Sequence, residues 1–115
     1  MKTIYNETAL RNQILDYLSY KGIMAWLNNT SGNFNLRTQS YYKNPRLKLG
    51  VADILAVLPP NGRLLAIEAK VGKNKQTETQ KQFQQEIEAN GGIYLLVYDV
   101  DEVMEFIKGL GITTK

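Results

Sequence analysis

Two acids and a lysine, Asp53, Glu68 and Lys70, stand in two apolar runs joined by one tight turn. The first run covers residues 51–58 (VADILAVL) and the second residues 63–70 (RLLAIEAK). Between them, Pro59-Pro60-Asn61-Gly62 has the composition of a turn. If all four residues turn, Leu58 faces Arg63, Asp53 faces Glu68 and Val51 faces Lys70. If only Asn61 and Gly62 turn, Asp53 faces Lys70. The two registers differ by two residues, so each side chain keeps its face. In either one Asp53, Glu68 and Lys70 project from the same face of a hairpin. Opposed carboxylates repel, and burial among Ile, Leu and Val adds desolvation. A divalent cation would reverse both penalties, and Mg²⁺ takes carboxylates and water as ligands. The Lys70 ammonium can then orient a water or offset charge on a phosphate. The plainer alternative is a surface ion network, for which both runs are too apolar.

The remaining composition narrows the chemistry. The chain has 115 residues, no cysteine and no histidine. That excludes disulfides, thiolate nucleophiles, His general bases and His-ligated metals. Hydrolysis would have to use carboxylates, Lys, Tyr or a metal-bound water. The length fits one domain over residues 1–115. With no long apolar run and no signal-like N-terminus, a cytoplasmic protein without membrane contact is expected.

The net charge is +3, but its distribution says more. No acid occurs between Tyr17 and Ala52, where Lys21, Arg37, Lys43, Arg46 and Lys48 alternate with Trp26, Phe34, Tyr41 and Tyr42. Lys73 and Lys75 follow the hairpin, whereas Glu78, Glu86, Glu88, Asp99, Asp101, Glu102 and Glu105 gather later. Basic residues mixed with aromatics and Asn suit phosphate and sugar contacts. Asn29, Arg37, Lys43, Arg46, Lys48, Lys73 and Lys75 are therefore the candidate DNA-binding residues. A solvated basic loop is the competing reading.

These groups need elements to hold them. The spacing predicts a helix over 7–21, capped by Asn6 and apolar at Leu10, Ile14, Tyr17 and Leu18. Glu7 lies one turn before Leu10, and its plain role is to complement the helix dipole. Residues 23–27 (IMAWL) read as a short strand. Residues 28–50 form a long polar connection with one further short strand near 33–38, and connections this long are usually functional. A helix follows over 77–90, where Thr77 and Gln80 form a capping box, Phe83 and Ile87 mark the buried face, and Gly91-Gly92 ends it. Gln80 is thus a helix cap that also lies near the buried face. A strand at 93–98 and a helix from Asp99 to about Lys108 complete the chain, with a frayed tail from Leu110. The expected fold class is α/β: one mixed sheet flanked by helices, in the order α-β-β-β-α-β-α.

Gly50-Val51-Ala52-Asp53, then Ile67-Glu68-Ala69-Lys70, then Gln80 on the next helix, resembles the PD-(D/E)xK nuclease superfamily. More narrowly the chain is similar to a stand-alone VRR-NUC (virus-type replication-repair nuclease) domain of phage or prophage type. Glu7, the stretch Ile14-Leu15-Asp16-Tyr17-Leu18 and Gly91-Gly92 fit the same group, so the resemblance covers about residues 7–106. Asp with Glu-x-Lys alone is a weak pattern, and its linkage to the upstream Glu and downstream Gln is what makes it specific. Ala52 stands where the family often has Pro, and Leu27 where Arg commonly follows the Trp. The resemblance implies a restriction-endonuclease-like core and Mg²⁺-dependent phosphodiester hydrolysis, with Mn²⁺ substituting and no small-molecule cofactor. It implies branched DNA such as four-way junctions as substrate, a homodimer, and a bacterial host cell. Asp53, Glu68 and the Ala69 carbonyl would be metal ligands and Lys70 would support the attacking water. Glu7 would reach a metal through water or a second ion, and Gln80 would steady the water or Lys70. The competing functions are a DNA-binding module that does not cut and a nuclease for flaps or plain duplex. A carboxylate-pair glycosidase would need neither Lys70 nor the basic stretch.

Overall fold

Burial on both faces of the central hairpin organises the whole architecture. The computed structural model describes residues 6–28, 33–35, 40–42 and 46–112. Strands β4 (Ile54–Leu58) and β5 (Arg63–Ala69) pair antiparallel, with Leu58 opposite Arg63 and Ile54 opposite Ile67. This is the register set by a four-residue turn. Gly62 lies at φ +78°, a conformation that favours glycine, and its amide donates to the Leu58 carbonyl at 2.9 Å.

β1 (Met24–Leu27) adds antiparallel to β4, and β6 (Ile93–Val97) adds parallel to β5. The result is an open, mixed, four-stranded sheet in the order β1-β4-β5-β6. Among the described residues three helices accompany it: α1 (Glu7–Tyr20), α2 (Glu78–Ala89) and α3 (Val100–Gly109). The class is α/β, as expected. The connection after β1 holds more strand than the sequence reading allowed. β2 (Asn33–Asn35) and β3 (Ser40–Tyr42) pair antiparallel as a separate two-stranded ribbon, so the strands do not all join one sheet.

The two faces of the sheet carry two cores. On one, Leu10, Ile14 and Leu18 of α1 and Val103 and Ile107 of α3 pack on Ile54, Ala56, Leu65, Ile67 and Val97. On the other, Phe83 of α2 packs on Ala52, Ala66 and Tyr94, with Val51, Leu55, Ile87 and Leu96 around them. Period-two alternation sends neighbouring residues of one strand to opposite cores. Each apolar side chain so buried contributes roughly 1.5–3 kcal/mol against the entropy of ordering.

Helix ends follow their sequence signals. The Asn6 side chain accepts from the Ala9 amide at 2.7 Å, and the Thr77–Gln80 capping box forms. Asp99 and Glu102 make a second capping box at the start of α3. Within the tail expected to fray, Ile112 packs against the main core, and residues 113–115 lie outside the described residues. Among the described residues no helix is long and apolar enough to cross a membrane.

Candidate active site

The site forms where the β4–β5 ladder stops and the first turns of α1 and α2 come close. The ladder's last paired position is Ile54 with Ile67, so Asp53 lies in a bend just before β4, opposite Glu68 by register. Its carboxylate does the work of a missing backbone acceptor: the Ala69 amide donates to Asp53 Oδ2 at 3.1 Å. That bond fixes the acid beside β5.

Glu68 sits on the α2 face of β5 and is only 2% exposed. Burial, then the Asp53 charge, push its carboxyl up to about 7, while Lys70 pulls the other way. Glu68 Oε2 is served by two donors, Gln80 Nε2 at 3.1 Å and Lys70 Nζ at 3.4 Å. Glu68 Oε1 is buried with no hydrogen-bond partner. Lys70 is itself 9% exposed, and its backbone amide is held by the Val97 carbonyl at 2.9 Å. Asp53, Glu68, Lys70 and Gln80, four of the five catalytic candidates, are therefore drawn together.

Gln80 reaches Glu68 because α2 starts unusually close to the hairpin. Gly50 has φ +75°, and a Cβ there would overlap the Thr79 carbonyl and crowd the Gln80 amide. Only a glycine lets the approach to Asp53 run beneath the first turn of α2. Gln80 then uses both ends of its amide. Its Oε1 accepts from the Thr77 amide at 2.9 Å as a helix cap, and its Nε2 serves Glu68.

Glu7, the fifth candidate, stands at the edge of the cluster. Its Oε2 accepts from Asn74 Nδ2 at 2.8 Å, and its Oε1 is 3.8 Å from Arg11 Nη1. The same guanidinium nitrogen is 3.8 Å from Asp53 Oδ2. Glu7 thus connects to Asp53 through a cation. Among the described residues no group of three or more His, Cys, Asp or Glu converges to hold a metal ion. The acidic centre is the pair Asp53 and Glu68.

That pair fits a divalent cation on one observation, the buried and unpartnered Glu68 Oε1. Once Glu68 is ionised, above about 7, leaving a carboxylate oxygen without a donor among apolar groups is costly. A hard cation between Glu68 and Asp53 would supply the missing positive charge. The Ala69 carbonyl, which the sequence reading adds to the ligand set, belongs to the β5 residue between Glu68 and Lys70.

The basic candidates are spread more widely. Asn29, Arg37 and Lys43 lie outside the described residues. Lys48 pairs with Glu86 of α2 at 2.9 Å, which commits part of its charge. Arg46 is exposed in the turn before Gly50. Lys73 and Lys75 are exposed on the loop between β5 and α2 and form no ion pair among the described residues.

Sequence reasoning missed two residues. Arg11 reads as an ordinary partner for Glu7 one helical turn away, and nothing local announces its reach to Asp53. Tyr94 reads as one more apolar strand residue. Its hydroxyl is buried under α2 and makes no hydrogen bond of ordinary geometry. Burial pushes it up to about 12 despite Gln76 alongside, and the Glu68 and Asp53 charges add to the shift. An amphipathic residue amid an apolar run was the available signal.

No family model matches the chain, and no curated protein or solved structure is similar enough to it to count as a match.

Proposed function

We propose that this chain is a divalent-metal-dependent nuclease with a restriction-endonuclease-like core, acting on the phosphodiester backbone of DNA. The observation that carries the reading is the buried Glu68 carboxylate, one oxygen unpartnered, opposite Asp53 and within 3.4 Å of the Lys70 ammonium. Such an arrangement is expensive in a metal-free structural role. The order of the core elements, helix, strand, hairpin, helix, strand, helix, supports the same reading.

Asp53 and Glu68 would hold Mg²⁺ or Mn²⁺, which when bound acidifies a water and offsets charge on the phosphate. Lys70 keeps a fixed positive charge beside Glu68, where developing negative charge on a phosphate is stabilised. Gln80 donates to the same Glu68 oxygen that Lys70 approaches and so helps set the direction of the carboxylate. Lys73 and Lys75 offer charge to the nucleic-acid backbone next to the site, with Arg46 and Lys48 on a second approach. Such contacts position a backbone without reading bases. Branched DNA is the proposed substrate, four-way junctions in particular, and a homodimer would supply the two cuts that resolving a junction needs.

The test is a panel of end-labelled four-way junction, flap and plain duplex DNAs with Mg²⁺ or EDTA, together with the solution mass. The expected result is Mg²⁺-dependent cleavage, strongest on the junction, by a dimer. Binding without cleavage at any metal concentration would leave a DNA-binding module. Cleavage of all three forms alike would remove the preference for branches.

A further inference from the structure

We infer that Arg11 is an exchangeable internal counter-ion. It balances Glu7 and Asp53 in the metal-free protein, leaves them when a divalent cation binds, and turns its guanidinium to the DNA phosphate. This deepens the nuclease reading and rests on it.

The geometry separates Arg11 from a structural salt bridge. Arginine–carboxylate pairs built for stability are commonly bidentate and close, about 2.7–2.9 Å. Arg11 Nη1 instead stands 3.8 Å from Glu7 Oε1 and 3.8 Å from Asp53 Oδ2. It is shared between two acids and held closely by neither. Among the described residues its one short contact is local, from Nη2 to Thr8 Oγ1 at 3.1 Å.

The two acids, by contrast, are anchored without it. Glu7 Oε2 takes Asn74 Nδ2 at 2.8 Å, and Asp53 Oδ2 takes the Ala69 amide at 3.1 Å. Asn74 is braced in turn, because its carbonyl accepts the Tyr98 hydroxyl at 2.9 Å. Arg11 can therefore depart while the carboxylates keep their places. Its side chain is about a quarter exposed, at 23%, so a path to solvent exists.

Charge arithmetic gives the direction. Glu7, Asp53 and Glu68, when ionised, carry three negative charges against Arg11 and Lys70, a sum of minus one. A divalent cation would turn that sum to plus one; the groups around Arg11 would go from minus two to zero, so the net attraction that holds it there would be gone. A phosphodiester brings the sum to zero and offers the guanidinium an acceptor suited to its fork.

The experiment uses the full chain and two variants, Arg11→Ala and Arg11→Gln, the second keeping a polar but uncharged side chain. Mn²⁺ binding is measured by calorimetry without DNA, and four-way junction binding by fluorescence anisotropy with Ca²⁺ in place of Mg²⁺. Both variants are expected to bind Mn²⁺ roughly three- to tenfold more tightly, the competing charge being gone. Both are expected to lose roughly tenfold in junction affinity with Ca²⁺. Unchanged or weaker Mn²⁺ binding in either variant overturns the counter-ion role. Tighter Mn²⁺ binding with unaltered junction affinity overturns the transfer to phosphate. If the unaltered protein takes up no Mn²⁺, the nuclease reading falls and this inference with it. Normal Mn²⁺ uptake in the unaltered protein confines any failure to Arg11.

Discussion

The Gln80 side chain links the Thr77 amide, at 2.9 Å, to Glu68 Oε2, at 3.1 Å. One amide thus terminates a helix and holds a buried acid in place. The two roles can be separated by substitution. Gln80→Glu retains the capping acceptor but sets a second carboxylate against Glu68. Gln80→Ala loses both. Urea denaturation should show Gln80→Ala destabilised by about 1–2 kcal/mol, and both variants should bind Mn²⁺ with a pH midpoint higher than the unaltered protein. An unmoved midpoint in Gln80→Glu would mean that the cap is its whole role.

Glu68 makes the fold sensitive to pH in a direction opposite to most carboxylates. Its folded carboxyl titrates near 7, above the ordinary 4.5, because burial and Asp53 disfavour the charge. The folded state therefore holds a proton that the unfolded chain has released between those values. That stabilising contribution is complete below about 4.5 and is lost as pH rises through about 7. Relative to Glu68→Gln, which stays neutral, the metal-free protein should lose on the order of 2–3 kcal/mol across this window. Thermal melts of both proteins in EDTA from pH 4.5 to pH 8 measure the gap. A gap that does not change with pH would place Glu68 in a more solvated position than described.

Gly50 couples the hairpin to α2 by the absence of a side chain. Gly50→Ala must accommodate a Cβ against the Thr79 carbonyl at positive φ. A loss on the order of 3 kcal/mol is expected. Gln80 is carried by the same turn, so the variant should also shift the pH dependence of Mn²⁺ binding toward that of Gln80→Ala. Denaturation titrations paired with calorimetry test this. A Gly50→Ala protein as stable as its parent would contradict the close approach.

Much of this arrangement is legible in the chain, and the gaps have physical reasons. The VADILAVL and RLLAIEAK runs locate the hairpin because continuous apolar strands with a single acid each, early in the first and late in the second, are unusual. The turn composition leaves two registers open, and the four-residue turn is the one adopted. Caps at Asn6 and Thr77 are readable because they satisfy local amides. Of the β2–β3 ribbon only the first strand, expected near 33–38, is readable; Ser40–Tyr42 is too short to show a period of two. Arg11 and Asn74 escape for another reason. Their partners are distant in sequence, Asn74 and Glu7 being 67 residues apart, and only the fold brings them together. Local periodicity says nothing about such pairs.

Lys70 and Asp53 should be separable from DNA binding. Asp53→Asn and Lys70→Ala are expected to reduce Mg²⁺-dependent cleavage at least about a hundredfold, while DNA affinity stays within about twofold of the parent, because backbone contacts come mainly from other basic residues. Lys73→Ala with Lys75→Ala should do the reverse, weakening binding and its salt dependence. Gel shifts and single-turnover cleavage on the same junction measure both. Full cleavage by Asp53→Asn and Lys70→Ala would refute the assignment.

On the proposed function a divalent cation belongs between the opposed Glu68 and Asp53 carboxylates. Anomalous diffraction at the manganese edge, from crystals grown with MnCl₂, tests it directly. A single strong peak is expected in contact with Glu68 Oε1 and an Asp53 carboxylate oxygen. Well-ordered acids with no peak between them, or a Glu68 carboxylate satisfied by protein donors alone, would contradict it.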